Sequence, residues 1–102
     1  MTILAKHTKD PGETFDYDIT YPSGELPVGD ALVSAQASVL CVTDPMDTAL
    51  IKGVVSFTDR RSKTWLGAGT DQQDYLITVV AVSEGGRVLV DHFIVKVRGT
   101  TA

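Results

Sequence analysis

The chain has 102 residues, a formal net charge of −4, 43% apolar and 22% charged residues, and a single cysteine. These values suit one globular domain with a real core, since domains peak near about 100–150 residues, and they exclude an intramolecular disulfide framework or a multi-cysteine zinc site. The acidic balance argues against nucleic acid as the main partner, and with no apolar run near the roughly 18 residues of a spanning helix and no apolar stretch in residues 1–10, neither a membrane partner nor a secretory leader is expected.

Residues 1–9 read as a short polar-basic arm, ordered only when docked, ahead of a domain over residues 10–98 and a frayed tail over 99–102. Asp10-Pro11-Gly12 is a turn, and Phe15 to Tyr21 alternates four apolar residues with two carboxylates and a threonine, the period-2 signature of a half-buried strand. Pro22-Ser23-Gly24 ends that strand, and Leu26 to Asp30, with Pro27 and Gly29, is a loop. A strand over about residues 31–43 sets Val33, Ala35, Ala37, Val39 and Cys41 in one register; its alanines also admit a helix, but the alternating serines and the valines favour a strand.

Asp44-Pro45-Met46-Asp47 is a turn, and a third strand runs over roughly residues 50–58. A charged loop at 59–62 precedes a short strand over 63–66 that carries the only tryptophan, then a flexible Gly67-Ala68-Gly69-Thr70-Asp71 connection. Strands over 75–83 and 88–98 form a hairpin closed by Glu84-Gly85-Gly86-Arg87, a turn of the kind that needs positive φ. Strands at this spacing, about six to seven of them in an all-β chain, predict an antiparallel β-sandwich.

No constellation for catalysis emerges, so no enzyme and no cofactor is expected. His7 and His92 lie in no metal spacing and are read as structural or solvated. Cys41, between Leu40 and Val42, is read as a small buried hydrophobe rather than a nucleophile. Asp16 and Asp18, roughly 7 Å apart on one strand face, are read as a solvated face; a weak calcium site with Asp10, Glu13 and Asp30 is the competing reading, and it lacks the dense oxygen ligands of a calcium loop.

The informative feature is an apolar surplus. In the last hairpin Tyr75, Ile77, Val79 and Ala81 occupy one register with Leu89, Phe93, Val95 and Val97, while Leu76, Val80, Val82, Val88, Val90 and Ile94 occupy the other. A free domain leaves its second face polar, so Leu76, Val80, Val82, Val90 and Ile94 are candidate interface residues; the competing reading is a central pair covered by its own loops. Charge is also uneven: residues 1–51 hold eight acids against two lysines, and residues 52–102 hold seven bases against five acids. Opposite charge on two surfaces suits head-to-tail contact between copies, as in a ring, which adds Lys6 and His7 of the arm and Arg60 and Arg61 of the charged loop to the candidates.

Trp65-Leu66-Gly67-Ala68-Gly69-Thr70 followed by Tyr75-Leu76-Ile77-Thr78-Val79 resembles the E–F region of immunoglobulin-like and fibronectin type III-like domains. That resemblance implies a corner role for Tyr75, ring buried and hydroxyl bonded back to the preceding turn. Lys9-Asp10-Pro11-Gly12-Glu13, Phe15-Asp16-Tyr17, Trp65-Leu66 with Gly69-Thr70, Tyr75-x-Ile77-Thr78, Gly86-Arg87 and Phe93-x-Val95-x-Val97 occur in that order. The pattern is similar to the small fiber-tail adaptor-like proteins of tailed bacteriophages, from which Tyr21-Pro22-Ser23 departs. The resemblance implies a non-enzymatic virion component of the neck or tail, made in the host cytoplasm. It would form a ring of copies and dock tail fibers or other tail proteins such as nozzle, portal or adaptor subunits. An extracellular adhesion or carbohydrate-binding β-sandwich module is the alternative, disfavoured by the missing leader and the few aromatics; a small β-rich enzyme or metal protein is a third, with no constellation to support it.

Overall fold

The computed structural model describes residues 3–99 except 23 and 25, with side chains from residue 5 onward. Seven strands are formed: β1 (Ile3–Lys9), β2 (Thr14–Thr20), β3 (Leu32–Cys41), β4 (Leu50–Phe57), β5 (Arg61–Ala68), β6 (Asp74–Ser83) and β7 (Val88–Val97), and no helix occurs among the described residues. They make a four-stranded sheet ordered β1-β7-β6-β3 and a three-stranded sheet ordered β2-β5-β4. The tail expected over 99–102 lies outside the described residues except for Gly99.

β6 is the cleanest expression of the sequence pattern, since its residues alternate between half-buried and buried along the whole strand. Tyr75, Ile77, Val79 and Ala81 point inward with Phe93, Val95 and Val97 of β7, and meet Ile19, Leu50 and Leu66 from the other sheet in one hydrophobic core. Burying these side chains supplies the main driving force, at about 25 cal/mol per Å² of apolar surface removed from water. The β6–β7 hairpin turns through Gly86 at φ +86°, the positive φ that its glycine permits.

Three expectations are corrected in the backbone. Residues 3–9, read as an arm, form strand β1, which pairs parallel to β7 with Lys6 to Lys9 opposite Ile94 to Val97; the otherwise antiparallel arrangement thus includes one parallel pair. Among the described side chains, alternation is hidden because positions 5, 7 and 9 hold Ala5, His7 and Lys9 rather than large apolar residues. β5 is longer than its predicted four residues because Ser62, read as loop, is fully buried and meets the Tyr21 hydroxyl at 3.2 Å.

In β3 a register shift between Leu32 and Ser34 flips the strand face, as an inserted residue does. Leu32 and Cys41 are therefore both buried although their spacing is odd, and Val33, predicted to share the face of Cys41, is 49% exposed.

Loops at one end of the molecule are held by hydrogen bonds rather than by apolar contact. Tyr75 is fully buried, and its hydroxyl accepts from the Thr70 N–H at 2.9 Å and donates to Asp47 Oδ1 at 2.9 Å, which agrees with the corner role implied for it. Lys9 is only 1% exposed, and its ammonium donates to the carbonyls of Asp10 and Ala68. Burial lowers its pKa from the ordinary lysine value, against the opposing pull of Glu13 and Asp10. At the other end Asp30 accepts from Ser83 Oγ at 2.7 Å, Ala31 N at 2.9 Å and Gly85 N at 3.0 Å, and pairs with Arg87 at 3.1 Å. The Ser83 hydroxyl above all, then the Gly85 N–H, hold the Asp30 carboxyl below its ordinary value.

Candidate interaction surface

The β1-β7-β6-β3 sheet has a face turned away from the core. Leu76, Val80 and Val82 lie on it in β6, with Val80 opposite Val90 and Val82 opposite Val88 on one side and Leu76 opposite Leu40 of β3 on the other. Val88, Val90 and Leu40 are 61%, 52% and 50% exposed. Ile94 stands in the same row, between Leu76 of β6 and Lys6 of β1, but only 9% of it is accessible. Four of the five apolar candidates are thus at least partly open, and Ile94 supports the sheet more than it presents a surface. Leu40 and Val88 belong to the surface as well; Leu40 is there by plain alternation, one position before the buried Cys41.

This face is not one continuous apolar patch. A polar rung crosses it where Ser38, Thr78 and His92 stand side by side on β3, β6 and β7, and Thr78 Oγ1 lies 3.0 Å from His92 Nδ1. The rung separates Leu40, Leu76 and Ile94 from Val80, Val82, Val88 and Val90. His92, read as structural, is tied to its cross-strand neighbour in agreement with that reading.

The remaining candidates are not on this face, apart from Lys6 beside Ile94. His7 packs its ring 5.0 Å from Tyr17 and 5.8 Å, edge-on, from Phe93, at the margin where β1 and β2 approach. Arg60 is turned to the chain itself, donating to the carbonyls of Tyr21 (3.2 Å), Leu26 and Pro27 (3.4 Å), so it organises the β2–β3 connection. Arg61 is exposed on β5 opposite Thr20, on the other sheet.

Charges of the two sequence halves meet where their strands and loops interleave. The acidic strand β2 pairs with the basic strand β5, Asp16 reaches Lys63 at 3.3 Å, and Asp30 reaches Arg87 at 3.1 Å. Asp16 and Asp30 of the first half thus meet bases of the second within one molecule. Asp16 and Asp18 form a solvated face with Lys63 opposite Asp18, and no group of three or more metal-binding side chains converges among the described residues. Cys41 is a free, buried thiol beside Thr43 and Gln73.

A second surface escaped sequence reasoning. On the outer side of the β2-β5-β4 sheet, a shallow groove of about 350 Å³ runs between Pro11, Thr14, Ile51 and Trp65. Gly53 and Gly67 form part of its floor; a Cβ at Gly67 would lie 2.8 Å from Thr14 Oγ1. Only its tryptophan stood out in the sequence.

No curated protein matches the chain. The family model of the podophage GP4 fiber-tail adaptor protein gp77 matches residues 9–96, from the buried Lys9 at the end of β1 to the penultimate residue of β7. The match spans both sheets and the outer face described above, and the chain belongs to this family of fiber-tail adaptor proteins.

Proposed function

We propose that this chain is a non-enzymatic structural part of a podophage tail, built into the virion at the neck or tail after synthesis in the host cytoplasm. In this reading copies associate into a ring, and the ring docks tail fibers or neighbouring tail subunits. The observation that carries it is the outer face of the β1-β7-β6-β3 sheet, where Leu40, Val88 and Val90 are each at least half exposed beside Leu76, Val80 and Val82. A sheet of a free domain turns polar residues to water on that side, and apolar clusters rimmed by polar residues mark interaction surfaces. Family membership supports the tail location and the adaptor role.

The fold is read as immunoglobulin-like or fibronectin type III-like. The order β2-β5-β4 against β3-β6-β7, with β1 added beside β7, and the corner tyrosine at Tyr75 support that assignment.

The test is a charge on the outer face. Val80→Asp and Val90→Asp are expected to abolish association of copies and incorporation into the tail, measured by light scattering of the purified protein and by cryo-EM of particles assembled with the variant. Circular dichroism verifies that each variant stays folded. Normal incorporation of both folded variants would remove this face as the contact.

A further inference from the structure

We infer that contact between copies through the outer face of the β1-β7-β6-β3 sheet is released by mild acid, with His92 as the titrating group. This rests on the reading that the outer face is where copies meet. His92 is half-buried in the middle of that face, in the polar rung between the cluster of Leu40, Leu76 and Ile94 and the cluster of Val80, Val82, Val88 and Val90. Along β7 its outward neighbours are Val90 and Ile94, and across the ladder Thr78 Oγ1 lies 3.0 Å from its Nδ1. A second copy that covers the apolar clusters on both sides of the rung also covers the imidazole between them.

A positive charge at that place has no carboxylate beside it among the described residues. On β6 the neighbouring outward side chains are Leu76, Thr78 and Val80, and the next carboxylate in that register, Asp74, is already paired with Arg98 at 2.8 Å. β3 supplies Ser38 to the rung and carries no charged residue along its length. Asp91 belongs to the other register of β7, opposite the buried Val79. The other charges in the outward register are cations, Lys6 of β1 beside Ile94 and Lys96 of β7 opposite Asp74.

A neutral imidazole that keeps a hydrogen bond is covered at modest cost. A cation moved from water into an apolar contact loses hydration that only a carboxylate or several acceptors restore. Contact between copies therefore favours the neutral ring. An imidazole takes up its proton near about pH 6.5 in water. The contact is thus at full strength above that pH, and each protonated copy must give up its proton to associate below it. One unit below, this costs about tenfold in affinity. Carboxylates ordinarily titrate near about pH 4, so the fold itself is expected to stay intact over this window.

Sedimentation of the purified full chain at about pH 7.5 and about pH 5.5 tests this, with circular dichroism verifying the fold at both. Association of the wild type is expected to be about tenfold weaker at the lower pH. His92→Gln, which can still bond Thr78 but does not titrate, is expected to associate equally at both. His7→Gln, at the margin beside Tyr17 and Phe93, is expected to follow the wild type. Equal wild-type association at the two pH values, or a His92→Gln chain that keeps the acid response, would overturn the inference. Dilution calorimetry of the wild type at about pH 6.5, in two buffers of different ionisation heat, needs no variant: dissociation is expected to take up protons, and zero uptake overturns the acid release as well. Val90→Asp at the higher pH separates the two readings. If it dissociates the copies while His92→Gln keeps the acid response, the outer face is the contact and only the acid release fails. If it associates like the wild type, or the wild type stays monomeric throughout, the contact reading fails and the acid release with it.

Discussion

Tyr75 and Asp47 are 28 residues apart in sequence, and the Tyr75 hydroxyl donates to Asp47 Oδ1 at 2.9 Å inside the end of the molecule. The Tyr75 hydroxyl oxygen in turn accepts the Thr70 N–H at 2.9 Å, so one phenol ties the β3–β4 loop and the β5–β6 loop to the first inward residue of β6. Burial raises the pKa of Tyr75, with Asp47 adding to the rise. Tyr75→Phe keeps the ring in the core and strands the Thr70 N–H, while Asp47 Oδ1 loses one of its donors and keeps the Ala49 N–H. It is expected to cost about 1–3 kcal/mol, read as a lower urea midpoint at unchanged m-value.

Gly69 opens the β5–β6 loop at φ +105°, and a Cβ there would lie 2.8 Å from Val97 Cγ2 and 3.2 Å from Leu50 Cδ1. Gly69→Ala combines a backbone strain of about 1 kcal/mol or more with a clash against two buried residues. A loss of about 2–4 kcal/mol is expected in denaturant melts, whereas Gly24→Ala, where a Cβ meets nothing, is expected to stay within about 0.5 kcal/mol.

The periodic strands were legible in sequence because their physics is local. β6 and β7 alternate side chains as the pleat does, and the Gly85-Gly86 turn carries its own conformational signature. What was not legible depends on partners distant in sequence. β1 pairs with the edge that β7 offers, while its described alternate positions 5, 7 and 9 hold an alanine, a histidine and a lysine. Arg60 looked like free surface charge because the carbonyls it gathers lie more than thirty residues away. The polar rung of Ser38, Thr78 and His92 likewise needs the registers of three strands. Alternation alone puts Thr78 and His92 among the outward positions of the hairpin, but that they align with Ser38 into one rung dividing two apolar clusters follows only from the registers.

Acid should weaken the two ends together. The Ser83 hydroxyl and Gly85 N–H hold Asp30 below its ordinary value, and the Ala49 N–H, with Thr70 and Tyr75, does the same for Asp47. A carboxylate whose folded pKa lies below its unfolded one binds fewer protons when folded, so it stabilises fully above the unfolded value near 4 and loses that contribution as pH falls through the folded value. Urea midpoints are expected to be flat from pH 7 to about pH 5 and to fall steadily below about pH 4. Asp30→Asn should lower the midpoint at pH 7 and flatten the fall below pH 4; an unchanged acid limb would show that Asp30 carries none of it.

Arg60 and Arg61 are neighbours in sequence with opposite consequences. Arg60→Ala removes the donor shared by the carbonyls of Tyr21, Leu26 and Pro27, at a cost of about 2 kcal/mol for bonds to a charged group. Arg61→Ala deletes an exposed side chain that enters none of the described salt bridges and is expected to change stability by less than about 0.5 kcal/mol. Thermal melts of the two variants separate the roles, and equal melts would mean that the β2–β3 connection does not depend on Arg60.

Three positions of β7 distinguish surface, support and core. Val95 is fully buried against the second sheet, Ile94 is 9% exposed on the outer row, and Val90 is 52% exposed on that row. Val95→Ala should cost about 2–3 kcal/mol, since a buried valine loses both its transfer energy and its packing. Ile94→Ala should lie below that cost but well above zero, because its neighbours are Lys6 and Leu76 rather than a second sheet. Val90→Ala should cost less than about 1 kcal/mol in the free chain. Placed in assembling particles, the order is expected to reverse for Val90 relative to its stability cost: its truncation weakens association most per unit of fold stability lost, if the outer face is the contact. Association that tracked stability alone across the three variants would locate the contact elsewhere on the molecule, with the groove beside Trp65 the next surface to mutate.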